Sequence, residues 1–290
     1  MLLPLIPKLH PDWLIPEWPA PAGIRAVFTT RQGGVSLPPY ESMNLGDHVG
    51  DAAAAVVANR MILQRAIGCR PVLLQQVHGT GVLDLSHESV DELAADACLT
   101  SQQGIACTIM VADCLPVLFA HLDRPVVAAA HAGWRGLAGP GISSEGDLNK
   151  DVTSNTCEGV LEATFRRFSV LVGADNAKVA DRTIAWLGPC IGPMAFEVGA
   201  EVKTAFENVQ SAAGELFVPL PGQADPVKYW ADLQGLARLK LRALGITQIF
   251  GNDGTADWCT VSRPLQFFSH RRDGGVGRRT GRMAACIWRV

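Results

Sequence analysis

The chain has 290 residues, of which 48% are hydrophobic and 18% charged, so it can bury a sizeable core and is predicted to be globular rather than disordered. Its formal net charge is -3, and without a long basic run neither nucleic acid nor an anionic membrane surface is expected as a partner. No segment offers the roughly 18 uncharged apolar residues that a membrane-spanning helix needs.

The N-terminal segment is apolar in composition but rich in proline, and Lys8, His10 and Asp12 interrupt its apolar run. A signal peptide needs a continuous apolar stretch, so residues 1–23 are predicted to form an extended arm instead. The eight cysteines lack the regular spacing of a disulfide framework. Reduced thiols, and therefore a cytoplasmic location, are expected.

Helices and strands follow one another along the rest of the chain without strict alternation. A strand at 24–29 precedes a long Gly-rich loop, and Asp51 is predicted to cap a helix that ends at Gly68. Short apolar runs between 71 and 131 indicate buried strands of one sheet system. The remaining predictions are helices at 158–173, 198–210 and 230–244 and strands at 183–189, 246–250 and 283–288.

This mixture predicts an α+β (mixed α/β) fold in which mixed β-sheets are flanked by helices. Residues 24–290 are expected to form a single catalytic domain, since no linker is long enough to divide them. The polar, low-complexity stretch at 139–157 is predicted to be a flexible insertion. We expect a monomer or a weak homo-oligomer.

Three potential metal ligands each follow an apolar run. His78 follows VLLQQV, Cys114 follows IACTIMVAD, and His131 follows VVAAA. Groups at the ends of strands in a rigid sheet can converge without being neighbours in sequence. Two imidazoles and one thiolate form a three-ligand zinc set with an open fourth position, as in catalytic zinc sites. On spacing alone the alternative stays open that the histidines are hydrogen-bonded core residues and Cys114 is packing.

Six motifs occur in order along the chain: NLGDHVGD with Asn59 and Arg60, QQVHGTGV, ADCLPVLFA, AAAHAGWRGLAGPGI, LGPCIGPMAFEVG, and DWCTVSRPLQFFSHRRDG followed by TGRMA. Together they closely resemble the laccase-domain family, also called YfiH-like. Its members were once described as multicopper polyphenol oxidases and are now described as zinc-dependent purine nucleoside phosphorylases. The resemblance extends over about residues 24–290.

The resemblance implies that His78, Cys114 and His131 bind one zinc ion. It also implies phosphorolysis of adenosine, inosine and methylthioadenosine, and deamination of adenosine to inosine, with a purine nucleoside and phosphate as the molecules bound. Editing of peptidoglycan precursors is an alternative that the same family suggests. Two departures stand out: residues 143–156 look longer than the usual connection, and His270 occupies a position where an aromatic residue is common.

Further candidates follow from the chemistry of phosphorolysis. Guanidinium groups bind phosphate in a fork, and a carboxylic acid beside the metal can donate a proton or orient a ligand histidine. Side-chain amides can bind sugar or base edges, or can instead bond loop backbone. The predicted catalytic residues are Asp113 and Arg135, and the predicted substrate-binding residues are Asn44, Gln76, Arg271 and Arg272.

Copper chemistry and a non-catalytic role are the alternatives. A multicopper oxidase needs many histidines in His-x-His pairs, whereas this chain has seven histidines and no such pair. A mononuclear blue-copper site also uses two histidines and a cysteine, but it serves electron transfer and needs a weak axial ligand. Zinc is therefore favoured over copper. The third interpretation is a factor that binds a nucleoside-like or cell-wall metabolite without turning it over.

Overall fold

The computed structural model describes residues 9–140, 158–222, 227–274 and 279–290. Its strands are β1 Ile24–Phe28, β2 Arg70–Leu73, β3 Val82–Asp84, β4 Ala97–Thr100, β5 Ile105–Val111, β6 Leu115–His121, β7 Val127–Ala132, β8 Thr183–Leu187, β9 Glu197–Gly199, β10 Phe217–Pro219, β11 Lys228–Ala231, β12 Gln248–Gly251 and β13 Met283–Arg289. Its α-helices are α1 Ala53–Ile67, α2 Trp134–Ala138, α3 Val160–Val172, α4 Asn176–Asp181, α5 Ala200–Val209, α6 Leu233–Ala243 and α7 His270–Asp273.

Two main sheets pack face to face, with β5 against β7. One sheet has four strands in the order β1-β13-β5-β2, and the other has six in the order β12-β8-β6-β7-β4-β3. A third, three-stranded sheet has the order β10-β11-β9. Both main sheets mix parallel and antiparallel pairs. In the four-stranded sheet β2 is parallel to β5 while β13 is antiparallel to it. In the six-stranded sheet β12 is parallel to β8 while β6 is antiparallel to it. The predicted α+β fold is confirmed.

Both faces of the two main sheets are buried, which explains why their strands read as continuous apolar runs. In β5, Ile109 packs between the two sheets, whereas its neighbour Met110 packs on the outer face of the four-stranded sheet. Helix α1 covers that outer face through Leu63 and Ile67. Helices α3 and α6 lie in the apolar layer on the opposite side, outside the six-stranded sheet.

The prediction of one sheet system for residues 71–131 was wrong. The runs at β2 and β5 belong to the four-stranded sheet, and those at β6 and β7 to the six-stranded sheet. A continuous apolar run shows that a strand is buried on both faces, but it carries no information about the strand with which it exchanges hydrogen bonds. The short strands β9, β10 and β11 were not predicted.

The helix predictions at 158–173, 198–210 and 230–244 correspond to α3, α5 and α6. Helix α1 ends at Gly68, as predicted, in the left-handed conformation that glycine tolerates (φ 71°). Its N-cap is Ala52 rather than the predicted Asp51. The Asp51 carboxylate accepts hydrogen bonds from Ser36 Oγ (2.6 Å) and Asn44 Nδ2 (2.9 Å), so it braces the preceding loop instead of the first turn.

The described part of the predicted N-terminal arm packs along the four-stranded sheet. Trp13 is buried and donates from Nε1 to the carbonyl of Gln32 (3.0 Å), and Leu14 forms a β-bridge with Phe28. The predicted insertion at 139–157 falls outside the described residues from position 141 onward. In the described ranges no helix combines the length and apolar character needed to cross a bilayer.

Candidate metal centre and active site

The three predicted metal ligands lie together. Cys114 occupies the turn between β5 and β6, and His131 lies in β7, where it pairs with Pro116. That register places Cys114 beside His131, and the loop after β2 adds His78. The three ligand atoms all lie within 4.8 Å of one another. Cys114 Sγ is 3.8 Å from His78 Nε2. One sulfur and two nitrogens at this spacing suit a single metal ion.

His78 does not end a strand, contrary to the prediction from sequence. Strand β2 stops at Leu73, and His78 lies in the following loop with a left-handed backbone (φ 60°), which is uncommon outside glycine. The apolar VLLQQV pattern therefore extends beyond the strand. A loop residue held in such a conformation needs other contacts to fix it.

Asp96 supplies those contacts, and no sequence motif had pointed to it. Its fully buried carboxylate accepts from His131 Nδ1 (2.8 Å) and from the backbone N–H of His78 (2.9 Å) on one oxygen. The other oxygen accepts from the N–H groups of Gly79 (2.7 Å) and Val77 (3.2 Å). The bond to Nδ1 leaves Nε2 of His131 free to bind a metal ion. One carboxylate thus orients both histidines. An acidic residue immediately before a buried strand was the available signal.

Gly133 leaves room for this cluster. A Cβ at this position would lie 2.9 Å from His78 Cδ2 and 3.0 Å from Cys114 Sγ. Glycine therefore lets the backbone that enters α2 approach the ligands closely. The donor set, its spacing and this close approach all fit one small metal ion.

The three candidate metal ligands line a cavity of about 860 Å³. Its wall also includes predicted residues Gln76, Asp113 and Arg271. Cavity residues that the sequence did not suggest as substrate contacts include Asp47, His48, Arg60, Met110, Ile191, Phe196, Leu233 and Arg282. A mixed polar and aromatic cavity that holds a metal-ligand set is the usual form of a small-molecule site.

Comparison with known proteins identifies the family. The family model described as multi-copper polyphenol oxidoreductase laccase matches residues 25–150 and 153–290. The chain belongs to this laccase family. Purine nucleoside phosphorylases from Pseudomonas aeruginosa and Escherichia coli K12 are each 44% identical to it, over 95% and 96% of this chain and 98% of each relative.

Solved structures of family relatives have the same fold. A Neisseria meningitidis protein superposes with a TM-score of 0.78 at 40% identity, covering 96% of this chain and 99% of that one. YlmD from Geobacillus stearothermophilus gives a TM-score of 0.76 at 28% identity, covering 98% of both chains. The laccase-family fold therefore extends over nearly the whole chain.

Charge interactions in this laccase-family site favour a thiolate. Burial by itself would raise the pKa of Cys114, but the charge on His131 and hydrogen bonds from both histidines lower it to about 6. Burial would lower the pKa of His131, whereas the Cys114 thiolate and Asp96 raise it to about 9. At neutral pH, and without metal, the pair is a thiolate beside an imidazolium, and the thiolate is the form that binds metal.

Alkylation of metal-free protein tests this thiolate. The reaction of Cys114 with iodoacetamide should rise with pH around a midpoint near 6, because the thiolate is the reacting form. Cys69 is the control, since burial raises its pKa to about 12 and it should stay unmodified at neutral pH. Mass spectrometry of the two cysteine-containing peptides measures the extent of alkylation at Cys114 and at Cys69. An alkylation midpoint for Cys114 near the ordinary pKa of a thiol would contradict the described site. Added zinc should protect Cys114 from alkylation.

Asp113 is tied to the far side of the cavity rather than to a ligand histidine. It is 8% exposed and has a left-handed backbone (φ 91°). Its carboxylate accepts from Thr260 Oγ1 (2.5 Å) and from the backbone N–H of Arg271 (2.6 Å). Its carbonyl accepts from Ile191 (2.9 Å). The turn that carries Cys114 is thereby joined to the start of α7.

Gln76 and Arg271 line the cavity while making bonds to the protein. The Gln76 amide donates to the carbonyl of Met110 and accepts from its N–H, both at 2.8 Å, so its side chain continues along β5 the pairing that β2 ends at Thr108. Arg271 donates from Nη2 to the carbonyl of Glu197 (3.0 Å), and its guanidinium lies 5.9 Å from the ring centre of Phe196. Arg271 is exposed and keeps further donors for a ligand.

Asn44, Arg135 and Arg272, also predicted as site residues, do not line this cavity. Asn44 is fully buried and bonds the backbone of Gly46 and Arg282, which was the alternative role considered for it. The Arg272 guanidinium is occupied by Asp273 and by three backbone carbonyls, including that of Thr260. Arg135 is exposed and stacks on Trp134, 4.4 Å from the ring centre.

Proposed function

We propose that this chain is a zinc-dependent purine nucleoside phosphorylase that also deaminates adenosine. The convergence of His78, Cys114 and His131 in a large cavity carries the proposal. It is supported by the two relatives named purine nucleoside phosphorylases, which match nearly the whole chain at 44% identity.

The donor set suits a single zinc ion better than a multinuclear copper centre. Two imidazoles and a thiolate leave one tetrahedral position open, as in catalytic zinc sites. Within the described ranges this is the only group of three or more His, Cys, Asp or Glu side chains arranged to hold a metal. Those ranges therefore contain no second site for a multinuclear copper centre. When bound, zinc would supply a Lewis acid that polarises an oxygen of phosphate or water.

Phosphorolysis breaks the bond between C1′ of the ribose and the purine nitrogen and forms a bond from C1′ to a phosphate oxygen. The purine nitrogen then takes a proton. In deamination a water oxygen becomes bonded to C6 of adenine and ammonia leaves. The chain must therefore bind phosphate, accept a flat aromatic purine and provide a proton. Phe196, Ile191 and Leu233 offer the base an apolar wall. His48 and His270 are two of the cavity side chains able to transfer a proton.

We assign Asp113 to positioning Cys114 and Arg271 rather than to proton donation, because both carboxylate oxygens already accept hydrogen bonds. Removing the Thr260 hydroxyl with Thr260→Val should therefore lower zinc affinity and raise the KM for nucleoside, each by about 3- to 10-fold, since one bond to a charged group is lost. Thr260→Ser should restore both. If Asp113 were the proton donor, Asp113→Asn would instead lower kcat at every pH while zinc affinity stayed unchanged.

The decisive experiment incubates zinc-loaded protein with adenosine, with and without phosphate, and follows the products by chromatography. Adenine and ribose 1-phosphate should form only with phosphate, whereas inosine should form in both cases. Metal-stripped protein should form neither until zinc is restored. Oxidation of phenols by the copper-loaded protein, without phosphorolysis by the zinc form, would favour the oxidase alternative. Tight binding of adenosine without any product would favour the non-catalytic one.

We also propose that the protein acts in the cytoplasm as a monomer or weak homo-oligomer. The cysteines in the described ranges are free thiols, which suits a reducing compartment. Size-exclusion chromatography with light scattering checks the oligomeric state. A stable assembly at micromolar concentration would contradict this expectation.

A further inference from the structure

The cavity has two chemically different ends. At one end Phe196, Ile191 and Leu233 belong to the apolar layer outside the six-stranded sheet. The other end lies on the side of the four-stranded sheet and carries His48, Arg282 and the ion pair of Arg60 with Asp47. Cys114 contacts the apolar layer between the sheets, so the metal ligands lie between the apolar end and the cationic end.

Arg282 is the distinctive residue of the cationic end. It is half-buried, and within its guanidinium only Nη1 has protein partners in the described ranges, the carbonyls of Thr280 (3.1 Å) and Gly281 (3.3 Å). Those ranges offer its Nε and Nη2 no acceptor and place no carboxylate in contact with it. Burial therefore lowers the pKa of Arg282, while the nearby charges of Cys114 and Asp113 partly oppose this. Neither Nε nor Nη2 is fully shielded from solvent, so these unused donors can exchange water for the oxygens of an anion that enters the cavity.

The surrounding loop holds Arg282 towards the cavity. Its backbone N–H donates to Asn44 Oδ1 (2.9 Å). A Cβ at Gly46 would lie 2.7 Å from Arg282 Cγ and 3.4 Å from His48 Cε1, so this glycine lets both side chains pack against the loop. Arg60 differs because it is neutralised by Asp47 (2.8 Å). The NLGDHVG segment thus packs around Arg282 and leaves it as the cation of this wall that has no carboxylate partner in the described ranges.

We propose that Arg282, flanked by His48 and Arg60, binds the phosphate co-substrate beside the metal position, and that the purine occupies the apolar end around Phe196. This inference rests on the proposed phosphorylase function. A guanidinium presents paired N–H donors that match two oxygens of a tetrahedral oxyanion. From sequence, Arg135 and the pair Arg271 and Arg272 were the candidates for binding phosphate. Arg135 and Arg272 do not line the cavity, whereas Arg271 does. The proposal adds Arg282 as the principal phosphate contact.

Isothermal titration of zinc-loaded protein with inorganic phosphate tests the site independently of turnover. Arg282→Met should weaken phosphate binding by roughly 10- to 100-fold, the loss expected for charge-assisted hydrogen bonds. The KM for phosphate should rise by a similar factor, while the KM for adenosine changes less than about 3-fold. The matched control is Arg65→Met, which removes an exposed arginine from the same helix as Arg60 and should change neither constant.

Unchanged phosphate affinity in folded, zinc-loaded Arg282→Met protein would overturn the assignment even if phosphorolysis occurs. Phosphate binding that depends on Arg282 would sustain it even if no nucleoside is cleaved, in which case the proposed function alone fails. If Arg282→Met does not fold, Arg282→Lys decides the question, because lysine keeps the charge but loses the fork. It should weaken phosphate binding by about 3- to 10-fold, and unchanged affinity would again overturn the site.

Discussion

Replacing Cys114 with alanine should eliminate stoichiometric zinc and reduce adenine and inosine formation to background. Cys114 provides the sulfur of a three-ligand set and is the member held as a thiolate at neutral pH. Loss of a mere hydrogen-bond partner to a metal ligand typically lowers affinity 10- to 100-fold. Loss of the ligand itself should therefore exceed roughly 100-fold. Elemental analysis of the purified variant, together with product chromatography, measures both effects.

Cys69→Ala is the matched control for that experiment. Cys69 is a free, half-buried thiol at the start of β2 and does not line the cavity. Its replacement should leave zinc content and product formation intact. Full activity in Cys114→Ala, or equal loss in both variants, would contradict a mechanism built on this metal centre.

Asp96→Asn should produce the second large effect, on metal affinity and stability together. The Asp96 carboxylate accepts four hydrogen bonds, one from His131 and three from the backbone of residues 77–79. An amide replaces one acceptor oxygen by a donor that faces N–H groups, so we expect zinc affinity to fall about 10- to 100-fold. The free energy of unfolding should fall by about 3 kcal/mol. Competition with a zinc chelator and denaturant unfolding measure the two quantities.

The pH dependence of this stability difference follows from the pKa of Asp96. Burial would raise that pKa, but the hydrogen bond and charge of His131 and the backbone N–H groups lower it below 3.8. A carboxyl with a lowered folded-state pKa stabilises the fold above its unfolded pKa. The advantage over Asp96→Asn should therefore be complete above about pH 4 and shrink as the pH falls below it.

Asp84→Asn provides the comparison, because Asp84 forms an exposed ion pair with Arg167 (2.6 Å). Its replacement should change stability by less than about 1 kcal/mol and leave zinc affinity unchanged. If Asp96→Asn behaved like Asp84→Asn, the carboxylate would not be what positions the two histidines.

The proposed division of the cavity changes how the family motifs are interpreted. Asn44 of the NLGDHVGD motif does not line the cavity, contrary to its predicted role in substrate binding. The motif instead packs Arg282 and His48 at the cavity wall. The SHRRDG motif contributes Arg271 to the cavity, while Arg272 stabilises its own loop. Neighbouring residues of one motif thus have different roles, and the direction of each side chain decides which.

The amino-acid sequence by itself determined the local chemistry of this protein. Continuous apolar runs predicted the buried strands β5, β6 and β7, and an apolar stripe predicted α6. The order of motifs predicted the family and the three metal ligands, which the structure brings together. Strands and helices depend on residue type and short spacing, so they can be predicted without a fold, whereas the ligand set depended on the resemblance to the family.

Only the tertiary structure decided which strands pair and which distant groups meet. Asp96 lies 35 residues from His131 yet shares a hydrogen bond with it, and Arg282 reaches the cavity from the start of the final strand. Hydrophobic periodicity indicates whether a face of a strand is buried. It does not indicate which strand pairs with it, because strand pairing joins residues far apart in sequence. The candidate ligands therefore followed from the family motifs, whereas the residues that orient them and those that line the cavity depended on the packing of two sheets.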